Sequence, residues 1–255
     1  MCGIVAYTGR KEAYPILISG LHRLEYRGYD SAGVALMTQG EISLYKTKGK
    51  VSDLENYCAD KNTKAHVGIG HTRWATHGEP NTQNAHPHLS TDGKLALIHN
   101  GIIENYMTLK TGLINKGYHF QSNTDTEVLV HLIQEVAKVE KLPVIEAVQM
   151  ALGLVLGTYA IVILDVEAPD QLIVAKKGSP LLIGVGENEY YIGSDGAPMV
   201  GYTNQVIYLE DEDVALLDPN KPLQIFNIKD GKKMPSIEKL EMQLEQIEKG
   251  GFEHF

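Results

Sequence analysis

The chain has 255 residues, of which 43% are apolar and 22% charged, and its formal net charge is −9. That length suits one large domain or two small ones, burying roughly 70–75% of the surface exposed when unfolded. The acidic balance excludes non-specific nucleic-acid binding, which needs a basic surface; the only cysteines, Cys2 and Cys58, are too few for a disulfide framework and point to a reducing, cytoplasmic setting.

In chain order, a short apolar strand is predicted over residues 3–7. It is too short for a signal-peptide core, and the charges of Arg10 and Lys11 follow it rather than precede it. A helix begins near Tyr14, with Pro15 in its first turn and Leu17, Leu21 and Leu24 on one face. A polar, glycine-bearing loop covers residues 27–33, and residues 34–37 and 42–47 flank Gln39-Gly40 as a hairpin. A short helix over 51–58 carries Cys58 as a packing residue. Residues 67–72 read as a strand, and residues 95–99 as another that stops at the turn dipeptide Asn100-Gly101.

A helix over 105–116 ends at Gly117. The next has the clearest start: Thr124 and Glu127 have capping-box spacing ahead of Val128, Leu129, Leu132, Ile133 and Val136. The uncharged run 147–164 approaches the length of a membrane span. Gly153, Gly157 and Thr158 interrupt it, so it reads as the end of a helix over 142–152 and a buried strand over 159–164. Short strands follow at 172–175, 190–193, 206–209, 214–217 and 224–228, and a helix from about 236 to 249 closes the pattern. Tight turns between short strands favour antiparallel pairing. The final six residues hold Phe252 and Phe255, rings that either dock onto the domain or belong against a continuation of the chain, and the second reading is taken here.

Among polar residues, Cys2 is singled out by position. Removal of Met1 is expected when a small residue follows, and the thiol then shares a residue with a free α-amino group. That amine titrates at about 7.7–8.0 and a free thiol at about 8.5, so the amine can act as base near neutral pH without a histidine. The bland alternative is a small residue opening a buried strand. His71, His77, His86, His88 and His99 crowd the middle of the sequence, yet no second cysteine or carboxylate completes a zinc spacing around His86-x-His88. They read as hydrogen-bonded loop and strand-end residues, with neither metal nor cofactor called for. Taken alone, Asn100-Gly101 reads as a hairpin turn, and Asp125 as compensation of a helix dipole.

Five strings occur in one order: Met1-Cys2-Gly3-Ile4-Val5, Arg27-Gly28-Tyr29-Asp30-Ser31-Ala32-Gly33, His71-Thr72-Arg73-Trp74-Ala75-Thr76-His77-Gly78, His99-Asn100-Gly101 and Thr124-Asp125-Thr126-Glu127. Together they resemble the glutaminase domain of the class II, N-terminal-nucleophile glutamine amidotransferases. Arg23-Leu24-Glu25-Tyr26 ahead of the second string, and Glu79-Pro80 after the third, narrow the likeness to the glutamine–fructose-6-phosphate aminotransferases, the glucosamine-6-phosphate synthases. The resemblance implies an α+β fold of four layers, α/β/β/α, with two antiparallel sheets sandwiched between helices. It implies a glutaminase domain over residues 2–240, with 241–255 beginning a linker to C-terminal sugar isomerase domains.

The same resemblance assigns roles. Cys2 is the nucleophile and, through its free amine, the general base; the Asn100 side chain and the Gly101 N–H form an oxyanion hole. Arg73 holds the α-carboxylate of L-glutamine by a forked contact, Thr76 and the His77 backbone add hydrogen bonds, and Asp125 holds the α-ammonium. Trp74 gates an ammonia passage. Arg27 and Asp30 either shape the nucleophile end or serve as salt-bridged loop architecture. The implied reaction yields glutamate and ammonia, which the full-length enzyme, expected to be a homodimer, transfers to fructose 6-phosphate to make glucosamine 6-phosphate. No nucleic-acid or membrane partner is implied. Two other classes are weighed: a Cys–His hydrolase pairing Cys2 with His71, His77 or His99, and an amino-acid-binding module that uses Arg73 and Asp125 without turnover.

Overall fold

Alternation along the first strand, β1 (Gly3–Thr8), sets the layering. Successive side chains of a strand point to opposite faces, and here Ile4 and Ala6 enter one apolar cluster while Val5 and Tyr7 enter another. A strand buried on both faces needs a cover on each side. The structure, a computed structural model, describes residues 2–74 and 79–240.

Among the described residues, eight strands form one sheet. These are β1, β2 (Ser31–Thr38), β3 (Glu41–Lys48), β4 (Val67–Arg73), β9 (Leu182–Gly186), β10 (Glu189–Gly193), β11 (Gln205–Tyr208) and β15 (Glu238–Lys239), in the order β15-β11-β9-β10-β1-β4-β2-β3. Seven others form a second sheet: β5 (His88–Leu89), β6 (Leu95–Ile103), β7 (Gly157–Asp165), β8 (Leu172–Lys177), β12 (Asp213–Leu217), β13 (Gln224–Asn227) and β14 (Gly231–Lys233), ordered β14-β13-β12-β8-β7-β6-β5. Neighbouring strands in both sheets pair antiparallel.

Three seams hold the layers together. Ile4 and Ile69 of the first sheet meet Ile98, Val162 and Val174 of the second. Helices α1 (Ala13–Leu24) and α2 (Val51–Cys58) cover the outer face of the first sheet, where Leu17, Leu21 and Leu54 pack on Val34 and Leu36. Helices α3 (Tyr106–Asn115), α4 (Asp125–Glu140) and α5 (Val144–Gly153) cover the second sheet, with Val128, Ile133 and Ala151 against Leu97, Ile161 and Ile163. Burying each such aliphatic side chain is worth about 1.5–3 kcal/mol. The result is the expected α/β/β/α sandwich. No helix among the described residues is long and apolar enough to cross a membrane.

Three local expectations are corrected. Asn100-Gly101 is not a turn: β6 runs through it to Ile103, pairing Asn100 with Ala160 and Gly101 with Tyr159. The full-length ladder with β7 overrides the local turn preference. Strand β9 was hidden by Gly184 and Gly186, which weaken a strand pattern; it forms because β10 and β11 pair on either side of it. The closing helix does not start at Ser236. Glu238 and Lys239 instead pair with Val206 and Gln205 on the edge of β11, and the Leu240 N–H reaches the Asn204 carbonyl at 2.7 Å. The rest of that predicted helix and the aromatic end lie outside the described residues.

The start of α4 is built more widely than a capping box. Thr124 Oγ1 accepts the Glu127 N–H at 3.3 Å, but the Glu127 carboxylate turns back to the N–H groups of Gln121 (2.8 Å) and Ser122 (2.6 Å) and to the Ser122 hydroxyl (2.6 Å). Burial pushes this carboxyl up; His131 and the Gln121 and Ser122 donors outweigh that and hold it at about 2, against an ordinary 4.5. A folded-state value below the unfolded one stabilises above the ordinary range, and the contribution is lost as pH falls from 4.5 toward 2. Glu127→Gln should therefore cost about 1–3 kcal/mol near neutrality and flatten the acid limb of a denaturant-midpoint profile. A limb of unchanged slope would contradict this account.

Candidate active site

Register brings the sequence motifs together. Gly3 of β1 lies opposite Thr72 of β4, so Cys2, one residue earlier, comes beside Arg73 and Trp74. Across the sandwich, the middle of β6, the start of β7 and the first turn of α4 reach the same place. Cys2, Arg73, Asn100, Gly101, Asp125 and Thr158 are among the residues lining a cavity of about 500 Å³.

The sulfur of Cys2 accepts the Trp74 N–H at 3.2 Å and lies 3.5 Å from the Trp74 carbonyl. Burial pushes the thiol up; the Trp74 N–H and Arg73 offset this only partly, and Asp30 adds to it. The resting sulfur is therefore a protonated thiol that needs a base at the moment of attack. Among the described residues no histidine nitrogen hydrogen-bonds this sulfur, so neither His71 nor His99 pairs with it.

Asn100 links the two sheets. Its Nδ2 donates to the Cys2 carbonyl at 3.1 Å, and its Oδ1 lies 2.9 Å from His71 Nε2 on β4. Gly101 takes φ +135°, and a Cβ there would sit 2.2 Å from the Thr158 carbonyl oxygen. Only glycine allows β6 and β7 to approach this closely at the cavity wall.

Arg73 is 5% exposed, and its Nη1 lies 3.7 Å from Asp30 Oδ1. The Asp30 N–H donates to the Arg73 carbonyl at 2.7 Å, holding the polar loop to the end of β4. Asp125, 7% exposed, opens α4 and accepts the Ile103 N–H on Oδ2 at 2.8 Å. That bond holds its carboxylate at the first turn of α4, where it complements the helix dipole, and Asp125 also lines the cavity. Arg27 ion-pairs with Asp195 and donates to Ser194 Oγ at 3.3 Å; the same Oγ accepts the Ile4 N–H at 3.1 Å. Arg27 thus braces the start of β1. Trp74, 53% exposed, lies against Gly28 (φ +85°), where a Cβ would be 2.4 Å from indole carbons. Thr76 and His77 lie outside the described residues, as does Met1.

His71, His86, His88 and His99 form a buried row, of which His86 and His99 line the cavity. The His71 and His86 rings stack at 4.2 Å, and His86 meets His88 edge-on at 5.0 Å. His86 Nδ1 accepts the His99 N–H (3.3 Å), and His88 Nε2 meets Thr124 Oγ1 (3.1 Å). His99 bonds Thr126 Oγ1 (3.1 Å) and the Thr158 carbonyl (3.3 Å). Burial pushes all four below the ordinary imidazole range. His86 and His88, the spacing that suggested a ligand pair, are occupied with this packing. Ser194 and Asp195 carried no local sequence signal; Asp195 is 168 residues from the arginine it holds.

The chain is a member of the glutamine amidotransferase domain family, which matches residues 52–217. It is 55% identical over 256 residues to the glutamine–fructose-6-phosphate aminotransferase [isomerizing] of Bacteroides thetaiotaomicron, and 50% identical over 259 residues to that of Chlorobaculum tepidum. Both alignments cover 100% of this chain, which spans 42% of the length of either relative. Among solved structures, glutamine phosphoribosylpyrophosphate amidotransferase from B. subtilis superposes with a TM-score of 0.74 at 29% identity, covering 95% of this chain and 50% of that one. A glutamine aminotransferase class-II domain protein from Silicibacter pomeroyi shares the fold at a TM-score of 0.57 and 15% identity, covering 94% of this chain and 99% of its own.

Proposed function

We propose that this domain hydrolyses the side-chain amide of L-glutamine through a thioester on Cys2, and that a full-length enzyme passes the ammonia to fructose 6-phosphate to make glucosamine 6-phosphate. One observation carries the reading: the Cys2 sulfur opens onto a cavity that gathers Asn100, Gly101, Arg73 and Asp125. Free glutamine is a zwitterion, so its recognition needs a cation and an anion at fixed positions. Arg73 takes the α-carboxylate and Asp125 the α-ammonium, with Thr76 and the His77 backbone adding hydrogen bonds.

Loss of Met1 leaves Cys2 with a free amine. That amine takes the thiol proton, and sulfur bonds to the amide carbon. Asn100 Nδ2–H and the Gly101 N–H bind the oxyanion. The amine returns its proton to the departing nitrogen as the C–N bond breaks, and ammonia leaves. Water then cleaves the thioester, releasing glutamate and the thiol. A neutral, half-buried thiol with no imidazole on it among the described residues supports the amine as base. Trp74, exposed beside the cavity, gates the ammonia, and Arg27 and Asp30 brace the nucleophile loop. Residues 2–240 form the glutaminase domain and 241–255 lead toward C-terminal isomerase domains, in a cytoplasmic homodimer.

Glutamate release should be measured for protein shown by intact mass to lack Met1 and for the same protein with Met1 retained. The processed form should turn over; the retained form should not, because an amide nitrogen is no base. Equal rates would refute the amine mechanism. Silence from processed protein would favour an amino-acid-binding module.

A further inference from the structure

We propose that His71 is a positioning residue for the oxyanion hole: its Nε2–H locks the Asn100 side-chain amide with the donor end toward the reacting carbonyl. The proposal rests on the oxyanion role given to Asn100 above.

An asparagine amide is nearly symmetric in shape, but its two ends are opposite in function. With nitrogen toward the cavity it donates to a developing oxyanion; flipped, it presents an acceptor and repels the same charge. The hydrogen-bond network decides between them. The Cys2 carbonyl can only accept, so the end of Asn100 that lies 3.1 Å from it is the NH2 group. The other end, Oδ1, can only accept, so His71 Nε2 at 2.9 Å must carry hydrogen. One N–H of Asn100 then grips the nucleophile's own carbonyl, and the second is left for the substrate oxygen.

The rest of the ring is compatible. A neutral imidazole protonated on Nε2 leaves Nδ1 as an acceptor, and among the described residues the buried Nδ1 makes no hydrogen bond. A second charge-bearing N–H there, as in the imidazolium, would be costlier still. Burial, with His99 and Arg73 nearby, moves His71 down to about 3, although its bond to Asn100 and the His99 backbone pull the other way. The ring itself is held by its stack on His86 and by β4. Because His71 belongs to one sheet and Asn100 to the other, the contact also sets the local spacing between the layers at the site.

The test combines a mutant cycle with a direct view of the proton. His71→Phe keeps a ring and removes the donor; His71→Gln carries an amide N–H close to the place of Nε2. Glutamate release is measured for each in the wild-type and Asn100→Ala backgrounds, with Cys2→Ala as blank and thermal unfolding as a check of the fold. His71→Phe should lower kcat about 10–100-fold, a part of the loss expected for a deleted hole donor, with KM within about twofold. His71→Gln should restore most of it, and in Asn100→Ala protein the His71→Phe change should cost almost nothing more. In wild-type protein, nitrogen-detected imidazole spectra should give His71 as the neutral Nε2–H tautomer, unchanged between about pH 5 and 8, whether or not the Phe variant folds. An Nδ1–H tautomer, titration in that window, or the same fold loss in both backgrounds would overturn the proposal. Cys2-dependent turnover unaffected by His71→Phe would overturn it while leaving the glutaminase reading intact; release that persists in Cys2→Ala would remove that reading and the inference with it.

Discussion

Cys2→Ala should abolish glutamate release, a fall of roughly 10⁶-fold by comparison with the loss of other covalent nucleophiles. The alanine variant retains Arg73, Asp125, Asn100 and Gly101 around the cavity, so the proposed recognition elements survive and only the proposed bond-forming atom is gone. Glutamine should therefore still bind, with an affinity within a few-fold of wild type by calorimetry. The fold should tolerate the change: Cys2 lies ahead of β1 and belongs to none of the three apolar clusters. The hydrogen bonds it loses, to the Trp74 backbone, are at the cavity wall rather than in a core. Residual turnover within a hundredfold of wild type would mean that water is activated without a covalent step, and the thioester would have to be abandoned.

Asn100→Ala should cost about 10²–10³ in kcat, or about 2.7–4 kcal/mol of transition-state stabilisation, with KM for glutamine nearly unchanged. The split follows from what the side chain meets. On the proposed reading, ground-state glutamine is held through its charged α-groups, whereas the Nδ2–H meets charge that exists only in the tetrahedral intermediate. A smaller stability loss accompanies it, on the order of 1 kcal/mol, because the bonds to the Cys2 carbonyl and to His71 go together. A variant whose KM rises while kcat holds would place Asn100 in substrate binding and empty the oxyanion hole of its side-chain donor.

How far these expectations could be reached from residues alone differs from element to element. Helix α2, the hairpin of β2 and β3, and the start of α4 were legible because their determinants are local: apolar spacing, a Gln39-Gly40 turn with both φ values positive, and a threonine cap. Cys2 stood out as a candidate by its place beside the initiator Met, and only the family resemblance gave it the nucleophile's role. The strings around Arg73, Asn100 and Asp125 named the site by likeness, and the structure brings those three residues to one cavity with Cys2. Asn100-Gly101 was misread as a turn for the same local reason that made the Gln39-Gly40 hairpin legible. Its strand character comes from β7, more than fifty residues away in sequence.

Sequence by itself determined most of the elements, the alternation that demands two covered sheets, and the family. Tertiary structure alone decided which end of the Asn100 amide faces Cys2, that Asp195 holds Arg27, and that His71, His86, His88 and His99 pack and hydrogen-bond among themselves and their neighbours instead of pairing with the sulfur. The reason is physical. Secondary structure follows short-range sterics and periodicity, which a few neighbouring residues set. The direction of a hydrogen bond between two sheets depends on register and layer packing, and those emerge only when burial is summed over the whole chain.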